Sequence, residues 1–321
     1  MQDIRNSLMV AFVVLAVLLL QACGGEETIN YENPANSNSG WQIEWFDEFS
    51  GDNIDTDKWS WVQDCYGGGN NERQCYTDRS VNSFIDNGML IIKAQEENFT
   101  GPNYPEDYTP EDYWWINPYD HTLPYTSARL HTKHKGDWKY GLIEIRAKLP
   151  AGQGIWPAIW MMPTDNVYGG WPLSGEIDIM EAINIQPDDP DTHEIHGTIH
   201  FGYPWPNNEQ ATSKILLAKD PTDNFHIYSV QWSEDKIRWY VDGVPYGTKI
   251  SSEWFTSKDG IRLSDPKVPF DENFHLILNV AVGGQWPGNP DAYTQFPQTM
   301  EVDYVRVYSC PDSPNSLTSC Q

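Results

Sequence analysis

Positive charge is scarce in this chain of 321 residues: 20 Lys and Arg stand against 46 Asp and Glu, a net charge of −26. Nucleic-acid phosphates need a basic footprint, so that class of partner is excluded. Polyanionic polymers are disfavoured for the same reason, because an acidic surface repels them. Long apolar runs are missing except for Leu8 to Leu20. That run is short for a membrane span, and Arg5 before it gives it the anatomy of an export signal. Sustained helical periodicity is absent beyond the signal, where only Ser213 to Lys219 reads as a helical turn. Internal repeats are absent as well. Aromatic residues, by contrast, are plentiful, with 15 Trp and 17 Tyr. Their faces suit stacking on a neutral sugar, which makes an uncharged carbohydrate the natural partner.

Cysteine is also sparse, with Cys23, Cys65, Cys75, Cys310 and Cys320 only. Leu20-Gln21-Ala22-Cys23 resembles a bacterial lipobox, in which Cys23 is lipidated and becomes the mature N-terminus. Four cysteines then remain. Pairing Cys65 with Cys75 and Cys310 with Cys320 closes two short loops, each contributing ~2–3 kcal/mol in the chain-entropy picture. Other pairings stay open at the level of sequence. Disulfides fit an exported protein. The expected organisation is a signal peptide over 1–22, a flexible Gly/Glu/Asn/Ser-rich tether over 23–40, one large domain over 41–309 and a clipped tail over 310–321. The expected location is a bacterial outer membrane, on its periplasmic or outer face. Gly24-Gly25-Glu26-Glu27 is similar to the acidic surface-export signals of some lipoproteins.

The domain reads as strand after strand. Gly141 to Leu149 alternates, with Ile143, Ile145 and Ala147 on one face and Glu144, Arg146 and Lys148 on the other. Phe225 to Trp232, Ile237 to Val241, His275 to Val282, Val302 to Tyr308 and Met89 to Ala94 read as further strands, and Asp242-Gly243 signals a hairpin. The pattern predicts an all-β sandwich. Three loops stand out: the Gly/Asn-rich 65–75, the aromatic-rich 98–125 and the Pro/Asp-rich 184–193. Loops of this kind on a rigid sandwich carry specificity.

Chemistry concentrates in Gly175-Glu-Ile-Asp-Ile-Met-Glu-Ala182. Acids in an apolar strand are costly unless they have partners or work to do. Alternation puts Glu176 and Asp178 on one face and Ile177 and Ile179 on the other. Glu181 would then point with the isoleucines. A β-bulge around Ile179–Met180 returns it to the face of the other two acids, and bulges re-aim side chains next to active sites. Three acids on one face raise one another's pKa. A retaining glycosidase needs one ionised and one protonated carboxyl about 5–5.5 Å apart. On a flat strand Glu176 and Glu181 would stand about 13 Å apart at Cα, so their side chains must converge over a concave surface.

In this context the chain resembles the laminarinase branch of glycoside hydrolase family 16. The resemblance runs through Asp47-Glu-Phe49, Asn70-Asn-Glu72 with Gln74 and Tyr76, Thr126 to Arg129, Tyr140 to Pro150 and Gly154 to Pro163. It continues through Trp171-Pro172, Gly175 to Asn184, His196 to Gly202, Asn279 to Gly288 and Val302 to Tyr308. It implies a β-jelly roll of two curved antiparallel sheets with a concave cleft, and endo-β-1,3-glucanase activity on laminarin-like glucan. The two residues between Asp178 and Glu181 match the laminarinase form of the acid motif, whereas the mixed-linkage lichenase form has one.

By the motif, Glu176 is the nucleophile, Glu181 the general acid/base and Asp178 the acid that tunes them. His200 is expected to donate toward the acids. Trp156 and Trp171 are expected as sugar platforms, with Trp160 as platform or core and Trp286 at a cleft edge. Asn71, Glu72 and Arg129 are expected to bind sugar hydroxyls. Catalysis needs no cofactor. Glu48, the Gly88 carbonyl and Asp303 match a structural calcium site of several family members. The expected protein is a monomer. The alternatives are a same-fold galactanase of the agarase or carrageenase kind, a transglycosylase, and a non-catalytic glucan-binding lipoprotein. Retention of all three acids argues against the last.

Overall fold

The computed structural model describes residues 39–105 and 119–320, all within the compact unit Tyr31–Gln321. The expected signal peptide, the lipidation residue Cys23 and all but the end of the tether lie outside the described residues, as does the middle of the 98–125 segment.

Two large sheets make the fold. One runs, in hydrogen-bonded order, Val244–Ile250, Lys236–Val241, His226–Trp232, Gly141–Lys148, Gln298–Ser309, Met89–Gly101, His121–Ser127 and Gln74–Tyr76. Gln42–Asp47 and Ser83–Asp86 add to it at the side. The other runs Asn208–Leu216, Glu194–Gly202, Glu176–Glu181, Ile155–Pro163, Phe274–Val282, Arg129–His131 and Ser60–Trp61, with Asp137–Trp138 on Phe274–Val282. Every pairing between these strands is antiparallel except that of Gln74–Tyr76 with His121–Ser127. The chain is therefore an all-β sandwich of the jelly-roll kind.

The core forms where the alternating faces meet. Ile143, Ile145 and Ala147 of the first sheet are buried in one cluster with Ile159, Met161, Ile177, Ile179, Leu276, Leu278 and Val280 of the second. The opposite face of the second sheet carries the polar and aromatic residues of the cleft. On Phe274–Val282 the core takes Leu276, Leu278 and Val280, which leaves His275, Ile277, Asn279 and Ala281 to the cleft face.

Two expectations need correction. Ser213 to Lys219 is not a helical turn: Asn208–Leu216 is an edge strand, paired along its length with Glu194–Gly202. The ladder supplies it with more hydrogen bonds than one isolated turn, and Lys214 is further held by Glu194 at 2.9 Å. The loop expected over 98–125 is shorter. One strand continues to Gly101 and the next begins at His121, with Phe99 opposite Leu123. Glu144 keeps its place in the alternation but is fully buried on the outer sheet, where the Tyr304 hydroxyl donates to it at 2.8 Å.

Both short disulfides form, Cys65–Cys75 and Cys310–Cys320. The second is buried with Trp41, Leu142, Tyr308 and Leu317, so it fastens the tail against the outer sheet.

Candidate active site

Glu176–Glu181 lies inside the second sheet, between Ile155–Pro163 and Glu194–Gly202. On one side Ala158 faces Glu181 and Trp160 faces Asp178, with a register shift between Ile159 and Trp160. On the other, His200 faces Glu176, Thr198 faces Asp178 and His196 faces Glu181. Three steps on the acidic strand from Asp178 to Glu181 thus match two on its neighbour. That is the bulge, and it turns Glu181 onto the face of Glu176 and Asp178 while Ile177 and Ile179 stay in the core.

Each carboxylate has its own surroundings. Trp171 Nε1 donates to Glu176 Oε2 at 2.5 Å, and Trp156 Nε1 donates to Glu181 Oε1 at 3.0 Å. His200 Nε2 lies 3.3 Å from Asp178 Oδ2 and 3.8 Å from Glu176 Oε1. Asp178 is 1% exposed. Burial, then the charge of Glu176 and a hydrogen bond shared with it, push the Asp178 carboxyl well above the carboxylate range. Burial, with Asp178 and Glu176 behind it, raises Glu181 too, while His200 and the Trp156 hydrogen bond pull the other way. Two carboxyls that resist ionisation beside a third is what acid/base chemistry requires.

The backbone beneath is held from the core. Trp239 Nε1 donates to the carbonyl of Asp178 at 2.7 Å. Gly197 makes this possible: a Cβ there would stand 2.4 Å from Trp239 Cδ1.

On one flank, Trp156 meets Trp286 edge-on at 5.2 Å, and Trp286 meets His196 edge-on at 5.0 Å. On the other, Trp171 is 41% exposed and tilts over His200 at 5.8 Å. Trp160 is on the cleft face, half-buried, with its Nε1 donating to Asn279 Oδ1 at 2.7 Å and the Arg129 guanidinium 4.6 Å above its ring. Asn279 Nδ2 donates to the Tyr76 hydroxyl at 3.1 Å, and that hydroxyl donates to Glu72 Oε2 at 3.4 Å.

Glu72 is buried and also receives Gln74 Nε2 at 2.8 Å, so it braces the disulfide-clipped loop against the catalytic sheet. Gln74 Oε1 accepts from the Val282 amide at 2.7 Å in the same brace. Gly68 gives the Glu72 carboxylate its room, since a Cβ there would lie 2.3 Å from Oε1. Asn71 is exposed on this loop, in left-handed backbone conformation at φ 58°.

The structure thus brings Glu176, Asp178, Glu181, His200, Trp156, Trp171 and Trp286 around one site, with Trp160, Arg129 and Glu72 linked along the same face. His196, Asn279, Tyr76 and Gln74 belong to the arrangement without having been assigned a role. For Asn279 the signal was present, as a lone amide in the apolar run Phe274–Val282.

Glu176, Asp178 and His200 bring ligand atoms within 4.8 Å of one another, the one group of its kind among the described residues, and could hold a metal ion. The expected calcium set fits less well. Both oxygens of Glu48 accept from Arg306, at 2.7 and 2.9 Å, and Asp303 accepts from Arg146 at 2.5 Å. Each carboxylate is already paired with its own arginine.

The sequence profile of "Glycosyl hydrolases family 16" matches residues 70–306. The chain is 39% identical over 296 residues to "Glucan endo-1,3-beta-glucosidase A1" of Niallia circulans, covering 88% of this chain and 40% of that longer protein. It is 39% identical over 282 residues to "Beta-glucanase" of Rhodothermus marinus, covering 84% of this chain and 85% of that protein. Among solved structures it is similar to the laminarinase catalytic domain of Thermotoga maritima, with a TM-score of 0.67 and 39% identity over 84% of this chain and 98% of that one.

Proposed function

The chain belongs to glycosyl hydrolases family 16, and from that premise we propose that it is a retaining endo-β-1,3-glucanase with Glu176 as nucleophile and Glu181 as acid/base. Glu176 attacks the anomeric carbon as Glu181 gives its proton to the departing glycosidic oxygen. Water then attacks the glycosyl–Glu176 ester, Glu181 takes the water's proton, and the sugar leaves with its β configuration. Asp178, whose carboxyl is raised by burial and then by Glu176, resists ionisation and limits the negative charge that three adjacent carboxylates would otherwise gather.

The observation that carries this reading is the bulge, which places both glutamates on the cleft face of one strand, each with an indole donor. Trp160 and Arg129, three strands across the sheet with Asn279 between them, extend a surface suited to a neutral glucan chain. Export and anchoring through Cys23, and a monomeric state, complete the proposal. Among the described residues no helix is long and apolar enough to cross a membrane. Cys23→Ala should move the protein from the membrane fraction to the soluble one, and continued anchoring would rule the lipid out.

The test of activity is product analysis of the purified domain on laminarin, mixed-linkage glucan and agarose side by side. Early release of mixed β-1,3-oligosaccharides from laminarin is the expected result. Cleavage of the galactan with silence on laminarin would overturn the substrate, and silence on all three would overturn the enzyme.

A further inference from the structure

Trp156 and Trp171 differ from ordinary sugar platforms in one respect: their ring nitrogens are already committed. Trp171 Nε1 is bonded to Glu176 Oε2 at 2.5 Å and Trp156 Nε1 to Glu181 Oε1 at 3.0 Å. We propose that Trp156 and Trp171 are positioning residues, each supplying one indole N–H that fixes and tunes one catalytic glutamate.

An indole N–H only donates, so it favours the ionised carboxylate and orients its lone pairs. At Glu176 the donor occupies Oε2, while Oε1 looks toward His200 at 3.8 Å. When the ester forms and then breaks, the same N–H meets the carboxylate that is released. At Glu181 the donor opposes a crowded field. Asp178 and Glu176 face it along its own strand, His200 acts from the neighbouring strand, and His196 stands directly opposite, paired with Glu194 at 3.1 Å. Trp156 is itself held edge-on by Trp286. Without its hydrogen bond the Glu181 carboxyl would ionise still later.

The inference rests on the assignment of Glu176 and Glu181. Phenylalanine keeps the aromatic face and removes the N–H, so it separates positioning from stacking. Trp156→Phe should shift the basic limb of the kcat/KM profile up by about one pH unit. Trp171→Phe should lower kcat on the order of 10- to 100-fold with KM held within about twofold, the loss expected for one charge-assisted hydrogen bond. Phe variants with unchanged kcat and unchanged limbs would overturn the proposal.

A second readout needs no tryptophan variant to fold. In the wild-type chain each indole Nε1–H resonance should sit where a hydrogen-bonded indole does, the Trp156 signal shifting in Glu181→Gln and the Trp171 signal in Glu176→Gln. Indole signals indifferent to both changes would overturn the proposal even where the Phe variants could not be measured. Activity surviving in Glu176→Gln and Glu181→Gln, with each indole signal still responding to its own substitution, would instead sink the catalytic assignment and leave the hydrogen bonds standing.

Discussion

At the scale of single residues, environment rather than identity sets what each acid does. Glu176 sits at the cleft under an indole donor, Asp178 is sealed beneath the site, and Glu181 is pushed toward its neutral form. Glu176→Ser should abolish hydrolysis while oligosaccharide binding persists, and substantial residual turnover would contradict the nucleophile assignment. Glu181→Ala should be rescued by azide on substrates with good leaving groups and yield a β-glycosyl azide, whereas an α product would contradict retention. A fourth acid acts on stability alone. Glu144, far from the cleft on the outer sheet, has its carboxyl raised by burial from 4.5 to about 7, with Tyr304 and Arg306 opposing the shift. The folded state therefore holds this proton longer than the unfolded chain does. Stability should fall as pH rises from about 4.5 to about 7, by roughly 3 kcal/mol from this group. Glu144→Gln should flatten that part of the pH–stability curve, and an unchanged slope in chemical denaturation would exclude the role.

The acidic strand shows at the scale of elements how one inserted residue makes a site. Deleting Met180 removes the extra position and leaves Glu-Ile-Asp-Ile-Glu, in which strict alternation keeps all three acids on one face without a bulge. The deletion should therefore leave the fold intact, since no acid enters the core, and unfolding in denaturant melts would show that the bulge is needed by the strand ladder itself. Gly197→Ala attacks the same strand from below, by driving a Cβ into Trp239. It should cost about 1–3 kcal/mol in denaturant melts and lower activity, and a neutral effect would show that Trp239 does not hold the Asp178 carbonyl.

The bulge was legible in the sequence because period-two alternation has a single way to accommodate Glu-x-Asp-x-x-Glu on one face. The edge strand Asn208–Leu216 was not. Its polar residues face the cleft side or solvent, and no apolar alternation marks it. The indole contacts of Trp156 and Trp171 were hidden for another reason: sequence places a tryptophan near a site but does not say whether its face or its N–H meets the neighbour. Glu144 was read correctly as facing away from the core, yet Tyr304, from a strand far along the chain, buries it.

At the scale of the whole molecule, two short disulfides fasten the margins of a sandwich whose core needs no help from them. Cys65–Cys75 clips the loop that Glu72 and Gln74 brace against the catalytic sheet, and Cys310–Cys320 clips the tail. Removing either should cost ~2–3 kcal/mol. Only loss of the first should weaken substrate binding, and equal kinetic effects from both would contradict this division of roles. The net charge of −26 gives the chain a large excess of negative charge. The protein should stay soluble and gain stability as salt screens its self-repulsion.

The central claim is that Glu176 forms the covalent bond to the sugar. The direct measurement is to incubate the enzyme with a 2-deoxy-2-fluoro laminaribiosyl fluoride, digest it and locate the label by mass spectrometry. The label is expected on Glu176 alone. Its attachment to Asp178 or Glu181, or steady turnover with inverted product and no label, would contradict the account.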